Sequence, residues 1–240
     1  MPSGGRLRVL AIDVGIANMA HCLISFPERG GARAEQRLAA SPVDLARGVL
    51  AESSIVSWSR VSIGRGRGAT TAEIIDMALT YFRRHREIFL SCDEAVIEQQ
   101  PAARMRNVAV TLFALLRAEG VDVRFQSASQ KLAFGADVAR FLGEETVDSG
   151  QYRQRKLLGE RLTRRFLGEH DHMIGHLQHF VAERKRDDLA DSFLHCLARR
   201  CLARRPRDAS SLGDGGENEP RKSPHADGAL DDEWPVASEV

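Results

Sequence analysis

Four carboxylates occupy places where apolar or capping side chains are the ordinary choice. Asp13 interrupts the apolar run RVLAIDVGIAN, Glu98 closes the apolar stretch of VIEQQP, and Asp188 and Asp191 lie three apart in KRDDLADSF. An ionised carboxylate on an apolar strand is costly unless a cation or hydrogen-bond donors compensate it. Helix N-terminal capping explains an acid at 187 or 188. It does not explain Asp191, which shares a helix face with Asp188, nor acids on two strands. Clustered carboxylates coexist when hard cations lie between them, and Mg²⁺ favours oxygen ligands while keeping several waters. Two such ions about 4 Å apart activate a water and stabilise the leaving oxygen of a phosphodiester. One carboxylate must then bridge both ions, a role that suits Asp13 on a central strand.

The elements that position these acids follow from periodicity. Apolar residues over 7–14 and 18–26 predict two strands joined tightly at Gly15, an antiparallel hairpin. Residues 27–48 are rich in Gly, Arg, Ala and Pro without a period and are expected to form an inserted surface loop. Alternation over 55–63 predicts a third strand. Thr70 or Thr71 caps a helix over 72–89, with Ile74, Ala78 and Phe82 on one face. A short strand over 93–99 ends at Pro101, a helix follows over 102–119 up to Gly120, and a fifth strand runs over 121–125. Strand, helix, strand makes a parallel crossover unit. Residues 127–149, which carry Lys131, read as a lid or irregular connection. Helix 152–167 is strongly basic around a Leu/Phe stripe, and the last helix spans 187–205.

Composition bounds the rest. The 240 residues are 43% hydrophobic and 28% charged, and no apolar run approaches the roughly 20 residues of a membrane span. Residues 1–6 read as an N-terminal tail without the apolar core of a secretion signal. Cys22, Cys92, Cys196 and Cys201 lack CxxC spacing, which argues against a zinc knuckle or disulfide scaffold and for a reducing, intracellular compartment. Residues 206–240 hold nine acids against three bases and are expected to be a disordered acidic tail. The remainder, with 31 basic and 24 acidic residues, suits a polyanion-binding body. GRGRG at 64–68 lacks the ending and spacing of a P-loop and reads as a linker. His170, His172, His176 and His179 have helical spacings, but a solvated helix face explains them better than a metal.

AIDVGIAN in a first hairpin, then VIEQQP, then KRDDLADSF resembles the RuvC-like Holliday junction resolvases, most of all their poxvirus-type and fungal mitochondrial branch. The resemblance spans residues 7–204. It implies an α/β ribonuclease H-like fold: a mixed five-stranded sheet, the first three strands antiparallel, with helices on both faces. It implies a nuclease domain over 7–205 and a metal-dependent endodeoxyribonuclease that resolves four-way junctions by paired symmetric nicks. Asp13, Glu98, Asp188 and Asp191 match the family's metal ligands, for two Mg²⁺ ions or Mn²⁺. The family also places a basic residue near the scissile phosphate, and Lys131 and Lys156 both qualify. Arg153, Arg155, Lys156, Arg161 and Arg164 on the basic helix are expected to hold DNA phosphates. The expected partners are branched DNA and a second copy in a homodimer, with no membrane. The expected localisation is cytoplasmic, nuclear or virus-associated, with an organelle left open. The 27–48 insertion and the acidic tail depart from the family pattern. Three competing readings remain: a nuclease of RNA–DNA hybrids or forks, a non-catalytic nucleic-acid binding module, and, from Asp-x-Gly-x-x-Asn, an actin-like ATPase.

Overall fold

The computed structural model describes residues 5–27, 41–63, 68–100, 102–143 and 152–202. Its centre is a five-stranded sheet in the order β3-β2-β1-β4-β5. The strands are β1 (Arg6–Asp13), β2 (Asn18–Pro27), β3 (Ser54–Ser62), β4 (Glu94–Glu98) and β5 (Asp122–Gln126). β1, β2 and β3 pair antiparallel, while β4 joins β1 and β5 joins β4 in parallel. This is the expected mixed sheet. β1 is therefore the switch strand, with an antiparallel neighbour on one side and a parallel one on the other.

Side chains alternate across the sheet with the period of two that a strand imposes. Leu10 and Ile12 point toward α2 (Thr71–Leu90) and α3 (Ala103–Ala118). Val9 and Ala11 point toward the other layer, formed by α1 (Pro42–Leu50), α4 (Ala128–Phe141), α5 (Tyr152–Gly168), α6 (Ile174–Ala182) and α7 (Asp187–Leu202). Two apolar cores thus flank the sheet. Thr70 begins α2 with a reciprocal capping box: its Oγ1 accepts from the Glu73 amide and its own amide donates to the Glu73 carboxylate.

Three expectations change. β1 begins at Arg6, inside the expected tail, because Arg6 pairs with Pro27 and its Nε donates to Ser25 Oγ at 2.7 Å. Residues 41–50 are not surface loop. Ser41 caps α1 by accepting from the Asp44 amide, Pro42 takes the first turn, and Val43, Ala46, Val49 and Leu50 are buried. The remaining insertion residues, 28–40, lie outside the described residues. The connection after β5 is helical as well: Ser127 caps α4, whose Phe134, Val138 and Ala139 enter the core. The acidic tail, 206–240, and most of the GRGRG segment, 64–67, fall outside the described residues. Among the described residues no helix is long and apolar enough to cross a membrane. The four cysteines are free thiols, all buried.

Candidate active site

The parallel strands β1, β4 and β5 end at one edge of the sheet, where open α/β sheets commonly bind their ligands. Asp13 is the last residue of β1 and Glu98 the last of β4. Pairing of Ile12 with Ile97 puts these two acids level on adjacent strands. Asp13 has the parity of Val9 and Ala11, and Glu98 the parity of Val96, so both face α7 rather than α2 and α3. α7 presents Asp188, Asp191 and His195 along one face. Lys131 reaches in from α4.

Two features hold this arrangement in place. Gly15 closes the turn from β1 to β2, where an added Cβ would lie 2.3 Å from the Asn18 carbonyl oxygen. Only glycine permits that approach, so the turn is tight and Asp13 stays at its lip. The first turns of α7 are tied down by Trp58 on β3, whose Nε1 donates to the Leu189 carbonyl at 3.1 Å. The Trp58 ring stacks on Phe180 of α6, at 5.4 Å between centroids and 7° between planes.

The acids line a cleft of about 490 Å³ together with the 14–18 turn, Tyr152, Arg155, Lys156 and Lys185. Lys131 Nζ lies 3.0 Å from Asp191 Oδ1 and 3.7 Å from Glu98 Oε1. Lys185 Nζ reaches both oxygens of Asp188, at 2.6 and 2.8 Å. Lys156 pairs with Asp187 and lies over the Tyr152 ring, 4.9 Å from its centroid. His195 Nε2 stands 3.6 Å from Glu98 Oε2, and Gln100 donates to the same oxygen at 3.4 Å.

The electrostatics follow from crowding. Burial, then the charges of Asp191 and Glu98, push the Asp13 carboxyl well above the usual carboxylate range. Glu98 goes the other way: although burial opposes it, the adjoining His195 and the Lys131 charge hold it well below that range. The two neighbouring carboxyls thus part in opposite directions, Asp13 upward and Glu98 downward. Burial works against the Lys131 ammonium, but Asp191, Glu98 and Asp13 outweigh it and raise its pKa. Burial, then Lys131, keep His195 neutral.

A cluster that pushes the Asp13 carboxyl upward and engages three lysines is short of positive charge. Its donors are all oxygens, which fits hard divalent cations. In this arrangement Lys131 stands between Glu98 and Asp191 while Lys185 holds Asp188, and among the described residues no three His, Cys, Asp or Glu side chains converge to hold one ion. That includes the histidines of 170–179, where His172 instead meets the Ser53 carbonyl at 3.0 Å and His179 packs against Trp58.

Of the lysines left open by the sequence, Lys131 is buried among three of the acids, while Lys156 sits at the rim. Arg155 lines the cleft with Lys156, whereas Arg153, Arg161 and Arg164 lie on the exposed face of α5 beyond it. Sequence reasoning missed Lys185 and His195. The spacing Asp188, Asp191, His195 keeps one helix face and could have marked the histidine.

No family model and no curated protein matches the chain. Solved structures do. A Fowlpox virus resolvase, solved with substrate Holliday junction DNA, aligns over 82% of this chain and 98% of its own, at 13% identity and a TM-score of 0.51. Thermus thermophilus RuvC aligns over 82% of this chain and 96% of its own, at 14% identity and a TM-score of 0.45. The fold is thus the ribonuclease H-like fold expected from the motifs.

Proposed function

We propose that the protein is a divalent-metal-dependent endonuclease that resolves four-way DNA junctions by paired nicks. The carrying observation is the acid cluster at the ends of β1 and β4 and the start of α7, with a buried lysine inside it and a basic helix at its rim. The resolvase fold supports this reading.

Asp13, Glu98, Asp188 and Asp191 are the residues that would hold Mg²⁺ or Mn²⁺, which supply an activated water and a charge sink for the leaving oxygen when bound. Asp13, whose carboxyl burial, then Asp191 and Glu98, push above the usual carboxylate range, would be favoured as a carboxylate by a bound cation. Lys131 stays charged beside Glu98 and Asp191 and offers its ammonium to the reacting phosphate. Gln100 and His195 hold the Glu98 carboxylate. Arg155 and Lys156 steer the strand into the cleft, and Arg153, Arg161 and Arg164 extend the cationic track along α5. Junction selectivity rests on the shape and deformability of branched DNA rather than on a base code. A two-fold dimer would set two such clefts against opposing strands of a nearly two-fold substrate.

The deciding experiment offers a labelled four-way junction, a fork, an RNA–DNA hybrid and a matched linear duplex, in Mg²⁺ and in EDTA. Symmetric paired cuts in the junction only, abolished by EDTA, are expected. Degradation of the hybrid instead would transfer the reading to a ribonuclease. Binding without any cutting would leave a nucleic-acid binding module. Sedimentation of the free protein checks the dimer.

A further inference from the structure

Lys185 is the cleft's most accessible ammonium. Its side chain is 45% exposed, yet it spends its charge on Asp188 and stands 4.0 Å from Asp187, which Lys156 also engages. Lys131, by contrast, is buried. Five carboxylates (Asp13, Glu98, Asp187, Asp188 and Asp191) thus face three ammoniums and the Arg155 guanidinium in the cleft and at its rim.

We propose that Lys185, with Lys156 beside it, is a backbone-phosphate ligand held in reserve, which exchanges a carboxylate for nucleic acid when divalent cations enter. The inference rests on the metal-dependent reading above. A lysine and a divalent cation compete for the same Asp188 oxygens. One divalent cation more than balances the single excess carboxylate, and a second adds to the surplus positive charge, which a polyanion offsets. The residues able to respond are the exposed Lys185 and the half-buried Lys156, because Lys131 is enclosed. Once released they lie at the cleft mouth with Arg155 and the exposed ring of Tyr152, where a strand would enter. Cation and DNA binding then strengthen each other, and reciprocally so.

The exchange predicts opposite signs for one substitution. Lys185→Gln removes a competitor, so Mn²⁺ titrated calorimetrically into the full chain without DNA should bind about two- to fivefold more tightly, the scale of a partly exposed ion pair. The same variant should bind a four-way junction more weakly in Ca²⁺. Wild type should gain about two units of salt slope between EDTA and Ca²⁺, and the variant about one, at roughly 0.9 per phosphate contact. Lys185→Arg keeps the charge and should follow wild type in both assays, while melting in EDTA verifies that each variant folds. If Lys185→Gln binds Mn²⁺ no more tightly than wild type, or keeps the full gain in salt slope, Lys185 is a fixed support for Asp188; the exchange then fails and the nuclease reading stands. If wild type binds no divalent ion at all, the metal-dependent reading falls and takes the exchange with it.

Discussion

Lys131 Nζ lies 3.0 Å from Asp191 Oδ1, joining α4 to α7 through an ion pair inside an acidic cleft. The pair distinguishes Lys131 from Lys156, which serves Asp187 at the rim. Lys131→Gln should slow junction cleavage by about 10²–10³-fold, the usual loss when one preorganised donor to developing charge is removed. Junction affinity should change far less, since Lys131 is enclosed. Single-turnover rates set beside anisotropy titrations separate the two effects; equal losses in both would make Lys131 a binding residue.

Asp13→Asn should abolish cleavage and stabilise the fold. Burial, Asp191 and Glu98 raise the Asp13 pKa on folding, so over the interval between the unfolded and folded values the native state binds more protons. Stability from this group is therefore lost as pH rises through that interval. Asparagine mimics the neutral acid and escapes the loss. A gain of about 1 kcal/mol or more at pH 7 in EDTA, shrinking toward pH 4, is the expected urea-denaturation result. An unchanged or lowered stability at pH 7 would contradict the crowding described for the cleft.

Gly15→Ala forces a Cβ to within 2.3 Å of a backbone oxygen that cannot swing aside. The β1–β2 turn must open, at about 1–3 kcal/mol in overpacking. Asp13 sits at that turn, so cleavage should fall together with stability. A variant with normal melting and normal rate would show that the turn relaxes at no cost.

His21 contributes to the acid limb of the stability profile. It is buried between Tyr81 Oη at 2.8 Å and Ser57 Oγ at 2.9 Å. Burial, then the neighbouring His85, push its pKa down to about 3. With the folded value depressed, its contribution is full above the unfolded value near 6.5 and is lost as pH falls toward 3, at roughly 1.4 kcal/mol per pH unit. Denaturation at pH 7 and pH 5 should therefore differ by about 2 kcal/mol from this group. His21→Gln, which can still hydrogen-bond, should flatten that difference.

The sheet was legible because its information is local. Alternation of Val9, Ala11 and Asp13 against Leu10 and Ile12, repeated in Val96 and Glu98 against Ala95 and Ile97, already assigns both acids to one face. The hairpin at Gly15 and the capped start of α2 carry equally local signals. α1 and α4 went unread for a different reason. Their caps, Ser41 with Pro42 and Ser127, were present, but the segments around them showed no clear apolar period, and they are helices because the sheet offers a surface for their buried side chains. The partners within the cleft were beyond sequence reasoning altogether. Lys131 meets Asp191 across 60 positions and His195 meets Glu98 across 97, and no periodicity spans such separations. By itself the sequence determined which residue types could do the chemistry and on which strand faces they lie. Only the folded chain decided which lysine enters the acid cluster and which wait at its rim, because that depends on how α4, α5 and α7 pack over the sheet edge.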